Sequence, residues 1–264
     1  MRTPRTPATR PDPATGALER CVGDVAHFAR HHWGRVPLLR LGDDDFADVF
    51  SLADVDILIT SAARRPEVRL VRDGETLPAT RYCRTQRLGG RTVDDLVDPA
   101  RVASLVGGGT TLVLQSLQRT WPSVGRFTAA LEAEASHTVQ ANAYLTPAGA
   151  AGLARHADGH DVLVLQLHGD KRWDVQGLGA VVLTPGDVMY LPTGTEHEAA
   201  AQGSPSLHLT VGLLRTTYRA VLDRVLARAG GLLDAPLPLG YAAGPSVLED
   251  EVAQLLEEVA KVIE

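Results

Sequence analysis

The chain has 264 residues, 44% hydrophobic and 22% charged, with a formal net charge of −6. That is the make-up of an ordinary globular protein of one large domain, with or without a small appendage. The acidic balance argues against a general nucleic-acid binder, no apolar run nears the roughly 18 residues of a membrane span, and the two cysteines, Cys21 and Cys83, form no CxxC motif or disulfide framework, which fits the cytoplasm.

Residues 1–19 read as a disordered lead; the first 14 are rich in Pro, Thr and Arg, with no apolar stretch to make a secretory signal. Helical spacing follows over 20–32 and 43–63, punctuated by Pro37 and Gly42. Residues 67–72 and 79–84 alternate around Asp73-Gly74, which predicts a hairpin, and 92–105 predicts a short helix closed by Gly107-Gly108-Gly109. The pattern then changes. Short apolar runs at 110–115, 139–145, 161–167, 171–176, 180–183, 187–191 and 206–212 are separated by Pro and Gly, with one helix at roughly 123–135. Many short strands at such spacing predict a sandwich or barrel rather than a parallel α/β sheet. From residue 215 the chain returns to helix. Tyr218, Val221, Leu222, Val225 and Leu226 share a face stopped by Gly230-Gly231, and Ser246 and Glu249 have capping-box spacing. Leu248, Val252, Leu255, Val259 and Val262 make an apolar stripe that has to bury against its own domain or a second copy. The boundaries read as 1–19, 20–214 for the main domain and 215–264 for a helical, dimerising segment.

The sharpest chemical signal is His156-Ala157-Asp158. On an extended strand, residues i and i+2 face the same way, so an imidazole and a carboxylate can reach one ion. A Pro-Gly turn, a strand and a second Pro/Gly turn deliver His197, the best third ligand. Two His and one carboxylate on one side of a metal leave its other positions open, as in non-haem Fe(II) oxygen chemistry. HxD alone is commonplace; its place among short strands, ahead of a GD…LPxGxxH run, is what raises it above a surface pair.

Several segments in register make the chain resemble the JmjC-type ribosomal oxygenases, cupin-like Fe(II)/2-oxoglutarate enzymes. They are Trp33–Leu39, Gln140–Pro147, His156–Gln166, Gly169–Trp173, Gly186–Pro192 and Ser206–Thr210. The resemblance implies a mainly β fold with helical additions: a double-stranded β-helix, or jelly roll, flanked by N-terminal helices and a C-terminal helical segment. It implies His156, Asp158 and His197 as iron ligands. It implies Lys171 and Tyr144 on the distal carboxylate of 2-oxoglutarate, Asn142 as a polar wall residue, and O2 as the other cosubstrate. It also implies hydroxylation of an unactivated C–H bond in a side chain, of the Arg or His class, in a protein or peptide. Lys171 draws physical support as well, because a buried dicarboxylate needs a cation at its far end and only two residues of this chain are Lys.

The chain departs from that pattern at Gly149–Arg155, at Ala157 between the ligands, and at Gly212 where a serine is common. It ends at Glu264, before the family's C-terminal winged helix would fit, so a small peptide or biosynthetic intermediate is the competing substrate. Competing functions are a binding protein on the same scaffold, against which the intact triad with Lys171 argues, and a cupin that works without 2-oxoglutarate, against which Lys171 and Tyr144 argue. His160 and His208 are candidates for packing or the cavity wall. His27, His31, His32, His137 and His168 read as surface or helix-end residues, and Asp161 and Asp170 as solvated charge.

Overall fold

The computed structural model describes residues 15–42, 44–61, 63–237, 239–240, 242 and 245–261. The first 14 residues of the expected lead, and Val262 of the apolar stripe, lie outside these. Contacts divide the chain into two units, 1–215 and 216–264.

The first unit opens with α1 (Ala17–Val22) and α2 (Val25–His31). They are two helices rather than one because Gly23, at φ +73°, turns the chain and Asp24 caps α2 by accepting from His27 N. β1 (Leu38–Arg40) follows, then α3 (Leu52–Thr60), which starts later than its spacing predicts because Ser51 and Asp54 form a capping box there. β2 (Val68–Arg72) turns through Asp73 and Gly74, both at positive φ, into β3 (Glu75–Thr76). The hairpin turn is where the sequence predicts it, but its second arm is two residues long. Residues 79–81 form a 3-10 turn, and β4 (Cys83–Leu88) pairs with β5 (Arg91–Val97) in a separate ribbon. β5 occupies the first half of the predicted 92–105 helix. The helix there, α4 (Pro99–Gly107), begins only where Asp98 caps it and Pro99 starts its first turn.

β6 (Thr111–Leu114), α5 (Leu117–Thr120), α6 (Pro122–Ala135), β7 (Thr138–Thr146) and β8 (Asp161–His168) come next. β9 (Lys171–Val175), β10 (Gly179–Leu183), β11 (Val188–Leu191), β12 (His197–Ala201) and β13 (Ser206–Leu214) complete the unit. An eight-stranded sheet runs β1-β11-β8-β13-β7-β6-β2-β3, and a three-stranded sheet runs β10-β9-β12, all pairs antiparallel. The sheets pack face to face as a jelly roll with helical additions.

Strand periodicity assigns the two faces of the large sheet. Val139, Ala141 and Ala143 of β7, Leu163 and Leu165 of β8, and Leu207, Leu209, Val211 and Leu213 of β13 join the helices in the main core. Val162 and Val164 point the other way, onto Trp173, Val175 and Leu183 of the small sheet and Met189 and Leu191. β8 is therefore buried on both faces, which is why 161–167 reads as an almost unbroken apolar run. The inward positions Asn142, Tyr144 and Thr146 of β7 and Ser206, His208 and Thr210 of β13 are polar.

The second unit holds α7 (Tyr218–Arg228), α8 (Gly230–Leu233) and α9 (Pro245–Lys261). Thr217 caps α7 by accepting from Ala220 N. Gly230-Gly231 follow α7 and open α8. α9 begins at Pro245, so Ser246 lies inside its first turn rather than ahead of it. Along the α9 stripe Val259 is buried and Val252 exposed; on α7, Val221, Leu222 and Leu226 are exposed.

Candidate metal centre and cavity

His156 and Asp158 do not sit on a regular strand. They lie in the connection between β7 and β8, which runs along the edge of β12 through isolated bridges, Ala151 to Ala200 and His156 to His197. In the second bridge His156 N donates to His197 O at 3.1 Å and His197 N to His156 O at 2.9 Å. The two histidines thus face each other across one antiparallel pair, their ring centroids 4.4 Å apart. Gly194 N holds the Asp158 carbonyl at 3.0 Å. The Asp158 carboxylate lies between the rings, with Oδ1 3.8 Å from His156 Nε2 and Oδ2 3.7 Å from His197 Nε2. One ligand atom from each residue falls within 4.8 Å of the others.

The donor chemistry fits a metal. His156 Nδ1 lies 2.9 Å from Ala154 O, and His197 Nδ1 lies 3.0 Å from Thr195 O. A carbonyl oxygen only accepts, so each Nδ1 carries the proton and each Nε2 turns its lone pair toward Asp158. Burial lowers the His197 pKa, which favours the neutral, ligating form. Two imidazoles and one carboxylate on one side suit a first-row divalent ion with open positions.

Behind the triad is a cavity of about 290 Å³ between the sheets. Lys171, Tyr144 and Asn142 all line it. Lys171 is 2% exposed. Its Nζ donates to Thr146 Oγ1 at 3.1 Å, meets His208 Nδ1 at 3.5 Å, and lies 5.7 Å from the Trp173 ring centre. No carboxylate among the described residues pairs with it, and burial pushes its pKa down to about 7. Tyr144 stacks on His208 at 5.0 Å, and burial raises its phenol pKa. Asn142 has a structural duty as well, since its Oδ1 accepts from Ser116 N at 2.9 Å, where Ser116 turns the chain into α5 at φ +55°.

Sequence reading missed several wall residues. Trp173 sits two positions after Lys171 on β9, inward by alternation, and Arg69 interrupts the apolar β2; Thr146, at the end of β7, bears on the site only as the acceptor of the Lys171 ammonium. A charge between Val68 and Leu70 was the available signal for Arg69. His208 lines the cavity and is buried, and burial holds its pKa well below the usual histidine range. His160 also lines it, and its ring explains Gly212: a Cβ there would stand 2.6 Å from His160 Nε2.

Asp161 is not solvated charge but fully buried. It accepts from Tyr190 Oη and from Thr193 N and Oγ1, at 2.8 and 2.7 Å for the last two, and pairs with Arg215 Nε at 3.1 Å. A buried carboxylate persists only with such partners. Here they fix the 192–196 turn that delivers His197. His137 stacks on Trp33 outside the cavity.

A JmjC domain is matched over residues 114–181 and 178–221. Ribosomal oxygenase 1 of Gallus gallus is 33% identical over 230 residues, 76% of this chain and 37% of that protein. The bifunctional lysine-specific demethylase and histidyl-hydroxylase NO66 of Branchiostoma floridae is 35% identical over 136 residues, 50% of this chain and 22% of that protein. The chain thus spans little more than a third of the first of these relatives. The Escherichia coli ribosomal oxygenase YcfD, solved with cobalt and 2-oxoglutarate, shares the fold at TM-score 0.55 and 18% identity, over 90% of this chain and 67% of that one.

Proposed function

Because the chain belongs to the JmjC-type ribosomal oxygenases, we propose that it is an Fe(II)/2-oxoglutarate-dependent oxygenase acting on an amino-acid side chain of a protein or peptide. The observation that carries this reading is Lys171, a buried cation with no carboxylate partner among the described residues, sharing one cavity with the His156–Asp158–His197 triad. An ammonium so placed is stabilised by an anionic ligand reaching its Nζ.

His156, Asp158 and His197 hold Fe(II), and Lys171 with Tyr144 holds the distal carboxylate of 2-oxoglutarate. The metal and its cosubstrates, 2-oxoglutarate and O2, supply the oxidising power for C–H hydroxylation. This chain's residues position and exclude. The two Nδ1–carbonyl contacts fix the histidine tautomers. Thr146 and His208 hold Lys171 against the Trp173 ring, and the apolar layer of Val162, Val164 and Trp173 keeps water from the cavity floor. Asn142 lines the wall. The relatives named as ribosomal oxygenase and histidyl-hydroxylase support a protein or peptide substrate, with side chains of the Arg and His classes as the candidates. A homodimer through 216–264 is part of the proposal, since Val221, Leu222, Leu226 and Val252 leave apolar surface on that unit. So is a cytoplasmic setting, which suits the two buried free thiols.

Anaerobic titration of the Fe(II)-loaded protein with 2-oxoglutarate tests the reading. A visible charge-transfer band is expected, weakened in Lys171→Ala and absent in His197→Ala. Bound iron with no band overturns it.

A further inference from the structure

The cavity has a second cation, and the proposed reaction gives it nothing to do. Arg69 lies on β2, between Val68 and Leu70 of the main core, so alternation turns it to the inner face of the large sheet. It lines the cavity with Asn142, Tyr144 and Thr111. Its Nε is buried without a hydrogen-bond partner, and no ion pair reaches its guanidinium among the described residues. Glu67, two positions earlier, does not pair with it, and Glu198 at the cavity rim is exposed and sits 3.7 Å from Arg155. Two other residues that line the cavity also have donors without a partner. Trp173 Nε1 is buried without an acceptor. Asn142 accepts from Ser116 N through Oδ1, so its NH2 has to be the end left for the cavity.

With the proposed cargo in place, Fe(II) with Asp158 and the 2-oxoglutarate dianion with Lys171 balance each other. Arg69 is the charge left over, in a cavity whose wall has other donors that lack acceptors. A side chain that brings an acceptor satisfies that wall. A guanidinium or ammonium offers only donors and adds a like charge, which is strongly repelled inside a protein cavity.

We propose that Arg69 is a specificity-determining residue that admits a neutral, acceptor-bearing side chain, such as an imidazole or carboxamide, and rejects arginine and lysine. The inference rests on the oxygenase reading above and names the substrate class for the same site.

The test is binding, without turnover. The full chain is loaded anaerobically with Mn(II) and 2-oxoglutarate and offered a peptide library randomised around a central His, Asn, Arg or Lys. Wild type is expected to retain the His and Asn pools about tenfold over the Arg and Lys pools. Arg69→Glu should reverse that order, and Arg69→Gln should reduce the discrimination to less than about threefold. If Arg69→Glu fails to fold, Arg69→Gln carries the comparison. Equal retention of all pools, retention of none, an Arg preference in wild type, or an unchanged order in the variants overturns the assignment. The charge-transfer titration separates the two readings: a band with no discrimination defeats Arg69 alone, while no band defeats both.

Discussion

The two faces of β7 and β13 differ in everything except their backbone. The face toward the helices is built from Leu, Val and Ala, such as Leu209 and Val211. On β7 and β13 the face toward the small sheet carries Asn142, Tyr144, Thr146, His208 and Thr210, alternating one for one with the core residues. The difference teaches that stability and chemistry are segregated by strand period, with each inward polar residue held by neighbours that are themselves anchored outward. Substitutions on the two faces should therefore separate cleanly.

The largest effect on stability is expected on the helix side. Leu209→Ala empties a fully buried site and should lower unfolding free energy by about 3 kcal/mol, read by denaturant titration, while leaving metal binding in the folded fraction intact. Asp161→Asn should follow at about 2 kcal/mol, because it weakens the contacts to Tyr190, Thr193 and Arg215 together; unlike Leu209→Ala it should also loosen metal affinity, since those contacts fix the turn before His197. A metal affinity equal to wild type would break the link drawn between the two faces.

On the cavity side the sign changes. A lysine whose pKa falls from 10.5 to about 7 on folding destabilises the ligand-free protein fully below about pH 7. That penalty fades as pH rises toward 10.5. Lys171→Met should accordingly be more stable than wild type at pH 7, with the advantage shrinking toward pH 10 in thermal melts without 2-oxoglutarate, while 2-oxoglutarate affinity drops about ten- to a hundredfold. A variant less stable than wild type at pH 7 would refute the picture of an unpaired buried cation. The smallest effect belongs to Gly212→Ser. The His160 ring and the Gln140 side chain stand in its way, both of them side chains rather than backbone, so a stability change of about 1 kcal/mol is expected together with an altered peptide preference.

The jelly roll and its triad were legible because their signals are local. β8 announces itself as an apolar run, and HxD with a downstream GD…LPxGxxH marks the three residues that the fold brings together. What was not legible depends on partners distant in sequence. β12 is His-Glu-Ala-Ala-Ala, helix-prone by composition, and is a strand because β9 pairs one edge and the 151–156 segment the other. Residues 92–97 carry apolar spacing that suits either structure, and pairing with β4 decides for strand. Asp161 looks like any aspartate beside a glycine-rich stretch until Tyr190, 29 residues later, closes over it. Arg69 could be seen as an intruder in an apolar strand, but only the folded sheet turns it toward the cavity.

The segment from Ala150 to His160 encloses the cavity, yet it is hung from β12 by single bridges at Ala151 and His156, whereas β8 behind it is laced on both sides along its length. The two walls should therefore exchange amide protons on different clocks. Gly152 and His156 should exchange through brief local openings, while Val162 to Leu167 should wait for the whole domain to unfold. Such breathing would let a peptide reach the triad past a swinging strap while the floor beneath it stays still.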